Sequence, residues 1–392
     1  MLALLTHTSG KNQIWMMKLD GTGQRKLLED KEDISSLRWA PSGDAIYYLR
    51  ADGDTTDLVR LPVSAQSQES SVLVSGLEIG SDFTVSADGS QLAYTREQRF
   101  SNLWLAALKG SEATPKAHAK PITAGTFSYD EPSISPDGAW LAFAMGSGTK
   151  TNVYKMPIGG GQPVQLTFFD AALAASPSWS PDGRRLAFIG NQGGTPKVWL
   201  VDADGGKMRR LDKTAPQSTN LELSWFPSSE IVYQQEGLHN LRRVNPETQQ
   251  DEVVLADDVQ GWIPLKPSPA PDGKKIAIYV NRRTEPGLFV ITLDKSSERL
   301  VYPGDYLPIG WSPSGSFIYA IKGLYGSEIV SIGLDDPRPP MFLMAMPGEF
   351  SQGSVSSDGR KIVTNVKETK SDVWVMKNFD PQTSRAQPLP RP

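Results

Sequence analysis

A turn of the form Ser/Ala-Pro-Asp/Ser-Gly recurs along this chain, each time between two short apolar stretches. The clearest copy is Trp179-Ser-Pro-Asp-Gly-Arg-Arg-Leu-Ala-Phe-Ile189. Eight copies, one of them worn, are centred near residues 43, 89, 138, 183, 228, 273, 315 and 359. Copies follow one another about every 45 residues, a period typical of architectures that repeat one small sheet. The chain is therefore built from similar units in series.

The clearest copy also shows what one unit contains. Ser178–Ser180 and Leu186–Ile189 are two strands joined by the Pro-Asp-Gly turn, whose residue types suit a tight turn. Lys197–Val201 and Met208–Leu211 follow as third and fourth strands. Each unit is thus a four-stranded antiparallel sheet, and radial repetition of such sheets makes a β-propeller. We expect an all-β fold with eight blades; seven blades or an incompletely closed ring are the alternatives.

The two ends of the chain do not fit this scheme neatly. Nine segments read as third strands, but only eight corners are present. Residues 2–28 supply second, third and fourth strands, and residues 354–378 supply first, second and third strands, so the ends overlap rather than complement each other. We expect a single propeller domain over residues 1–379, a disordered Pro-rich tail over 380–392, and a chain that is part of a longer protein.

Composition excludes several classes of function. The net charge is −4, and the sequence has no basic stripe of the kind that neutralises nucleic-acid phosphates. It has no apolar stretch of about 20 residues that would insert in a membrane, and no signal peptide at its start. The absence of cysteine excludes disulfides and thiolate chemistry, and is compatible with either compartment.

The repeat resembles a known family. Ser-Pro-Asp-Gly-x-x-Leu-Ala-Phe, followed by Ile/Val-Trp and Asp-Gly-Gly, is similar to the TolB-type propeller repeat over nearly the whole chain. Three stretches, Phe83–Thr95, Phe100–Leu105 and Val355–Phe379, resemble the C-terminal propellers of bacterial membrane-anchored Ser/Thr kinases and winged-helix transcriptional regulators. The resemblance implies a periplasmic or extracytoplasmic sensor domain; a cytoplasmic location is the alternative.

Catalytic and metal motifs are missing from the sequence. A serine hydrolase needs Gly-x-Ser-x-Gly at a strand-to-helix turn, which this chain lacks. The three histidines, His7, His118 and His239, have no metal-ligand spacing, and the acidic turns lack the pattern of a calcium loop. We therefore expect no enzyme activity, no metal and no cofactor, and keep an enzyme with its site in the propeller channel as an alternative.

Ligand binding is expected on one face of the propeller. The fourth-to-first and second-to-third loops share one face and vary in length, whereas the Pro-Asp-Gly turns on the other face are short and uniform. Variable loops on a rigid scaffold commonly form binding surfaces. We assign ligand or partner binding to loop residues Tyr129, Asp130, Phe169, Trp262, Arg282, Tyr306 and Phe350. Phe127, Phe168, Tyr325 and Arg99-Phe100 belong to the same loops. The alternative is that each aromatic ring packs on the neighbouring blade.

These observations favour a non-catalytic recognition or sensor propeller of a bacterial signalling protein. Its partner would be a peptide, a protein or a small molecule on the long-loop face, with no nucleic-acid contact through this domain. A free-standing TolB-like scaffold protein of the cell envelope is the second hypothesis.

Overall fold

The computed structural model describes residues 1–8, 11–52, 55–64, 69–77, 79–108, 119–147, 150–170, 172–214, 216, 222–235, 240–256, 264–282, 285–294, 297–336 and 338–381. Their regular secondary structure is entirely β-strand. The chain divides into two compact units, where the sequence predicted one domain over residues 1–379. Unit 1 comprises Met1–Arg99 and Thr369–Pro392, and unit 2 comprises Phe100–Glu368. The prediction of an all-β fold built from four-stranded antiparallel sheets is confirmed.

Unit 1 contains three sheets. The first is β1 (Leu2–Thr8), β2 (Lys11–Met17) and β3 (Arg25–Asp30), and the second is β4 (Ile34–Trp39), β5 (Ala45–Asp52), β6 (Thr55–Pro62) and β7 (Ser71–Leu77). The third sheet contains β8 (Ile79–Val85) and the first half of β9 (Gln91–Ala107). The second sheet has an apolar core on each face, because its side chains pack against the first sheet on one side and against β8 and β9 on the other.

Unit 2 begins with the second half of β9, followed by β10 (Ala119–Pro121). Four-stranded sheets then follow in chain order. They are β11 (Ser128–Ile134), β12 (Trp140–Ser147), β13 (Lys150–Pro157), β14 (Val164–Gln165); β15 (Ala174–Trp179), β16 (Arg185–Gly190), β17 (Lys197–Asp202), β18 (Met208–Leu211); β19 (Leu223–Trp225), β20 (Ile231–Gln235), β21 (Asn240–Val244), β22 (Asp251–Leu255); β23 (Pro264–Pro269), β24 (Lys275–Val280), β25 (Gly287–Thr292), β26 (Glu298–Pro303); and β27 (Tyr306–Trp311), β28 (Phe317–Lys322), β29 (Gly326–Gly333), β30 (Met341–Phe350). The last strands are β31 (Gly353–Val355) and β32 (Lys361–Lys377).

Unit 2 is a closed ring of six blades within the described residues. Its sixth sheet combines both ends of the unit, in the order β31, β32, β9 and β10. The first strands contact one another in a cycle, from β11 through β15, β19, β23, β27 and β31 back to β11. Closure of this kind removes free sheet edges. The expected count of eight blades in one ring is not confirmed, because only the six corners from 138 to 359 belong to this ring.

The surplus third strand of the sequence is explained by two long strands. β9 and β32 each continue through the position where a second-to-third turn was expected, so Arg99-Phe100 lies inside a strand and not in a loop. In unit 1 the amide of Asn378 donates to the carbonyl of Ser90, and in unit 2 the amide of Leu108 donates to the carbonyl of Arg360. The end of β32 thus serves as third strand to β8 and β9 in unit 1. The end of β9 serves as third strand to β31 and β32 in unit 2.

Tryptophans two residues before the corner proline hold neighbouring blades of unit 2 together. The indole Nε1 of Trp179 donates to the carbonyl of Ser133 (3.0 Å), and that of Trp225 donates to the carbonyl of Ser178 (3.0 Å). Trp311 makes the same bond to Ser268 (2.8 Å). Each bond joins the first strand of one blade to the first strand of the preceding blade. The repeated tryptophan is therefore a link between blades.

Replacement of Trp225 by Phe removes the indole donor of a largely buried ring, and with it the bond to the carbonyl of Ser178. We expect the free energy of unfolding to fall by about 0.5–1.5 kcal/mol. The matched control is Trp374→Phe, at an indole that is about half exposed; its effect is expected within about 0.5 kcal/mol. Urea titration followed by far-UV circular dichroism measures both. Equal effects of the two substitutions would contradict the role of the bond.

The end of the described chain is ordered against unit 1. The side chain of Asp380 is fully buried, and the hydroxyl of Tyr47 donates to it (2.7 Å). Arg60 forms an ion pair with the same carboxylate, with its Nε 3.3 Å from Oδ2. The ring of Phe379 packs edge-on against Tyr47. The sequence placed Asp380 at the start of a disordered tail, and this start is wrong; residues 382–392 lie outside the described part of the chain.

Candidate ligand-binding channel

A ring of side chains lines the axis of the six-bladed unit. Each first strand places one residue at this level, five positions before the residue that occupies the corner-proline position, as Glu131 does before Pro136. The ring consists of Glu131, Ser176, Glu222, Lys266, Pro308 and Gln352, in order around the axis. Two positions further along, five of the six blades carry a serine, and serines 133, 178, 224, 268 and 354 form a second level. Together these residues line a cavity of about 170 Å³, enough for several water molecules or a small polar group.

The backbone is distorted to present the first-level side chains. Glu131, Ser176 and Lys266 have positive φ values of 55°, 54° and 59°, although none is glycine. The pairing register with the second strand shifts at the same places, which marks a β-bulge in each first strand. Bulges re-aim side chains, and non-glycine residues in this region cost of order 1–3 kcal/mol each. The fold thus bears strain in three blades to direct polar groups at the axis.

Two carboxylates and one ammonium group meet in this ring. Lys266 forms an ion pair with Glu222 of the preceding blade. The carboxylate of Glu131 accepts hydrogen bonds from the amide of Ser176 and from its hydroxyl (3.1 Å). Since Glu131 is three blades away from Lys266 in the ring of six, the two side chains face each other across the axis. The three charged residues that line the cavity sum to −1.

Burial shifts the pKa values of both facing groups. Removal from water raises the pKa of Glu131 to about 7, against the opposing effects of the Ser176 amide and the Lys266 ammonium. Burial, together with the neighbouring ammonium of Lys367, lowers the pKa of Lys266 to about 8, against the opposing effect of the Glu131 carboxylate. An acid and a base that both titrate near neutral pH, inside one cavity, are a common feature of functional sites.

The shift of Glu131 predicts a pH dependence of stability. Because its pKa rises from 4.5 in the unfolded chain to about 7 in the folded chain, the folded protein binds more protons between these values. The free energy of unfolding therefore falls as pH increases through this window. We expect Glu131→Gln to remove this component, so that wild type loses stability relative to the variant between pH 4.5 and 7. Thermal unfolding at several pH values measures it, and parallel profiles for the two proteins would contradict the shift.

A hydrogen-bond network continues from the ring toward the long-loop face. The Nδ2 of Asn365 donates to Oδ1 of Asp130 (2.8 Å) and to Oε1 of Gln352 (3.0 Å). Ser101 donates to the same carboxylate of Asp130 (2.9 Å), and the amide of Glu131 donates to Gln352 (2.9 Å). These bonds join the first strand of one blade to the sheet that closes the ring. The side chains at the channel mouth are therefore held in place before any ligand arrives.

Exposed aromatic side chains lie on the same face of unit 2 as this mouth. Phe127 precedes β11, Phe168 lies between β14 and β15, and Tyr325 lies between β28 and β29. Starts of first strands and ends of second strands share one end of a meander, so all three belong to the long-loop face. Phe168 is 71% exposed and Tyr325 is 64% exposed. The Nζ of Lys367 lies 4.6 Å from the centre of the Tyr325 ring, which connects this rim to the charged groups of the channel.

Three of the aromatic residues assigned to binding are buried instead. Phe169 and Phe350 are almost completely buried, and Tyr129 is largely buried. Phe169 packs against Phe188 and Trp199 of the following blade, and Tyr129 packs against Phe143. Phe350 belongs to the apolar core beneath the closing sheet. This is the packing role that the sequence left open, and a ring without exposed surface offers none to a ligand.

The other four residues assigned to binding lie in different environments. Asp130 is part of the network at the channel mouth, so it is the one that the structure joins to the ring. Arg282 forms an ion pair with Glu298 and lies 4.8 Å from the centre of the Phe289 ring. Tyr306 is partly buried and packs edge-on against Tyr302. Trp262 lies outside the described residues. A binding role for Arg282, Tyr306 and Trp262 stays a prediction.

The described residues contain no cluster of three or more His, Cys, Asp or Glu side chains placed to hold a metal ion. His7 lies in β1, whereas His118 and His239 fall in segments outside the description. Over the same described ranges, the structure has no helix that is long and apolar enough to cross a membrane.

Comparison with known proteins agrees with the repeat and the sheets. Residues 82–261 match the TolB beta propeller domain. The predicted resemblance to TolB-type propellers is confirmed. The match covers slightly less than half of the chain and includes four of the corners. A comparison with curated protein sequences finds no significant match.

Several solved structures align with most of this chain. TolB from Acinetobacter baumannii is 12% identical, with a TM-score of 0.47, and the alignment covers 95% of this chain and 81% of that one. A putative TolB from Agrobacterium tumefaciens is 15% identical, with a TM-score of 0.42 and coverage of 92% and 99%. An oligogalacturonate lyase in complex with manganese is 13% identical, with a TM-score of 0.41 and coverage of 86% and 96%. Likeness at this level carries no argument about function.

Proposed function

We propose that this chain is a recognition propeller that binds a peptide segment at the channel mouth of unit 2. The observation that carries the proposal is the ring of polar side chains around one cavity, Glu131, Ser176, Glu222, Lys266 and Gln352, of which strained bulges present Glu131, Ser176 and Lys266. Exposed aromatic side chains on the same face add apolar contact area of the kind that anchors protein interfaces. Polar groups held in place, with aromatic anchors on the same face, suit a ligand that is partly apolar and partly charged.

We further propose that the recognition event serves signalling in the periplasm or another extracytoplasmic compartment of a bacterium. The support is the resemblance of Phe83–Thr95 and Val355–Phe379 to the propellers of membrane-anchored regulators. A free-standing TolB-like scaffold would use the same mouth, with a protein in place of a peptide ligand.

A catalytic role is the second candidate, favoured by one observation. The pKa of Glu131 is raised to about 7 and that of Lys266 is lowered to about 8 inside one cavity. A carboxyl and an amine that titrate near neutral pH are suited to general acid–base chemistry. Mass spectrometry of bound ligands after long incubation separates the two functions, because a recognition domain returns its ligand unchanged.

Affinity selection from a soluble tetrapeptide library tests the recognition function. We expect a selected peptide to bind wild type and to lose at least ten-fold in affinity on Phe168→Ala or Tyr325→Ala, since both rings are exposed on the long-loop face. The matched control is Phe342→Ala, which removes a half-exposed ring on the outer strand β30. Isothermal titration calorimetry measures the three variants.

Two outcomes would count against the proposal. One is a library that yields no binder at all. The other is a binder whose affinity falls on Phe342→Ala but not on Phe168→Ala or Tyr325→Ala, which would move the binding surface to the outer strands.

A further inference from the structure

Carboxylates outnumber ammonium groups around the channel of unit 2. The charged residues that line it are the carboxylates of Glu131 and Glu222 and the ammonium of Lys266. Four of the lining residues are prolines, 132, 177, 267 and 308, which have no backbone N–H to offer. A ligand that enters this cavity therefore meets a net negative charge.

A separate observation lies directly behind the cavity lining. Asn365 is 1% exposed, and its Nδ2 is bound to Asp130 and to the lining residue Gln352. Its Oδ1 has no hydrogen-bond partner among the described residues. A buried acceptor without a donor costs about 1–3 kcal/mol. An unsatisfied acceptor thus lies one hydrogen bond behind Gln352, in addition to the two carboxylates that line the cavity.

Lys266 already occupies the position that a cation would take. Its ammonium pairs with Glu222 and faces Glu131 across the ring. The residue is held there by a backbone with φ of 59° directly before Pro267, a conformation that β-carbon sterics and the following proline both disfavour. The lysine side chain has four flexible methylene groups, so its ammonium can leave the ring while the backbone stays in place.

The geometry points to a cation subsite in the channel, where the carboxylates of Glu131 and Glu222 receive the primary ammonium group of a ligand in place of Lys266. For the peptide ligand of the proposed function, on which this inference rests, that group is the free amino terminus or a lysine side chain. Lys266 holds the subsite filled in the absence of ligand and moves aside on binding. The subsite discriminates by charge because an anion would meet two carboxylates and only one ammonium group.

Two probes of equal length and opposite charge test the subsite, 1,5-diaminopentane and glutarate. We expect Lys266→Met to bind 1,5-diaminopentane at least ten-fold more tightly than wild type, because the internal competitor is gone. Glu222→Gln in the Lys266→Met background is expected to reverse this gain by at least ten-fold. Glutarate is expected to bind neither protein. Isothermal titration calorimetry measures the affinities, and Lys266→Gln replaces Lys266→Met if circular dichroism shows that the latter does not fold.

The inference is overturned if glutarate binds more tightly than the diamine, or if removal of the Lys266 ammonium brings no gain in diamine affinity. Its failure is separate from that of the proposed function. A tetrapeptide that depends on Phe168 and Tyr325 can still bind when the diamine does not, and in that case only the ammonium subsite is lost.

Discussion

Replacement of Asp380 by Ala is expected to destabilise unit 1 by about 3–5 kcal/mol. The carboxylate is fully buried, accepts a hydrogen bond from the hydroxyl of Tyr47 and pairs with the buried guanidinium of Arg60. Its removal leaves a buried cation with less compensation and a tyrosine hydroxyl without its acceptor. Loss of one member of a buried pair is costly because the other charge remains out of water. Urea unfolding followed by far-UV circular dichroism measures the change.

Asp44 provides the matched control for this substitution. It pairs with the same guanidinium, with Nη2 of Arg60 2.8 Å from its Oδ2, but its side chain is 58% exposed. Asp44→Ala is therefore expected to cost less than about 1 kcal/mol, as exposed ion pairs do. If the two alanine variants are equally stable, the chain end does not hold unit 1 together as its contacts indicate.

Phe350→Ala is the second substitution with a large expected effect, a loss of about 3–5 kcal/mol in the free energy of unfolding. The ring is fully buried at the end of β30, in the apolar core shared by the last blade and the closing sheet. Ile329, Leu343 and Val366 belong to the same core. Truncation of this side chain leaves a cavity in the core between the last blade and the closing sheet. Closure of the six-bladed ring depends on packing at this place. The midpoint of thermal unfolding reports the change.

The variant Phe168→Ala distinguishes a role in ligand binding from a role in packing. Its ring is 71% exposed on the long-loop face, so Phe168→Ala is expected to change stability by no more than about 0.5 kcal/mol. We expect opposite effects of the two substitutions: Phe350→Ala lowers stability, and Phe168→Ala lowers ligand affinity. A stable Phe350→Ala protein with reduced ligand binding would restore the role that the sequence assigned to this ring.

The sheets of this chain are largely predictable from its repeat, but their arrangement is not. Each corner identified in the sequence joins a first and a second strand, because turn residues act locally. The six-bladed ring depends on two places where a turn is missing. Between Tyr94 and Asn102, and again between Val366 and Asp372, the chain has neither glycine nor proline. β9 and β32 run straight through these stretches and exchange third strands, a choice that depends on partners more than 250 residues away.

The residues that line the channel were predictable from the sequence, although the site prediction rested on the aromatic residues of the loops. Position five before the corner holds glutamate, serine, lysine or glutamine in five of the six blades of unit 2. Prolines directly after Glu131, Ser176 and Lys266 mark the bulges that turn these side chains inward. Loop aromatics such as Phe169 failed as site predictions because a residue next to a strand end can fold back between two sheets. Composition alone cannot distinguish that outcome from exposure.

The most direct test of recognition at the channel mouth is a crystal structure of the protein with a selected tetrapeptide. We predict peptide density on the long-loop face, within contact of Phe168 or Tyr325 and reaching the ring of Glu131, Glu222 and Lys266. Density on the Pro-Asp-Gly corner face or along the outer strands, with the channel left to water, would contradict it.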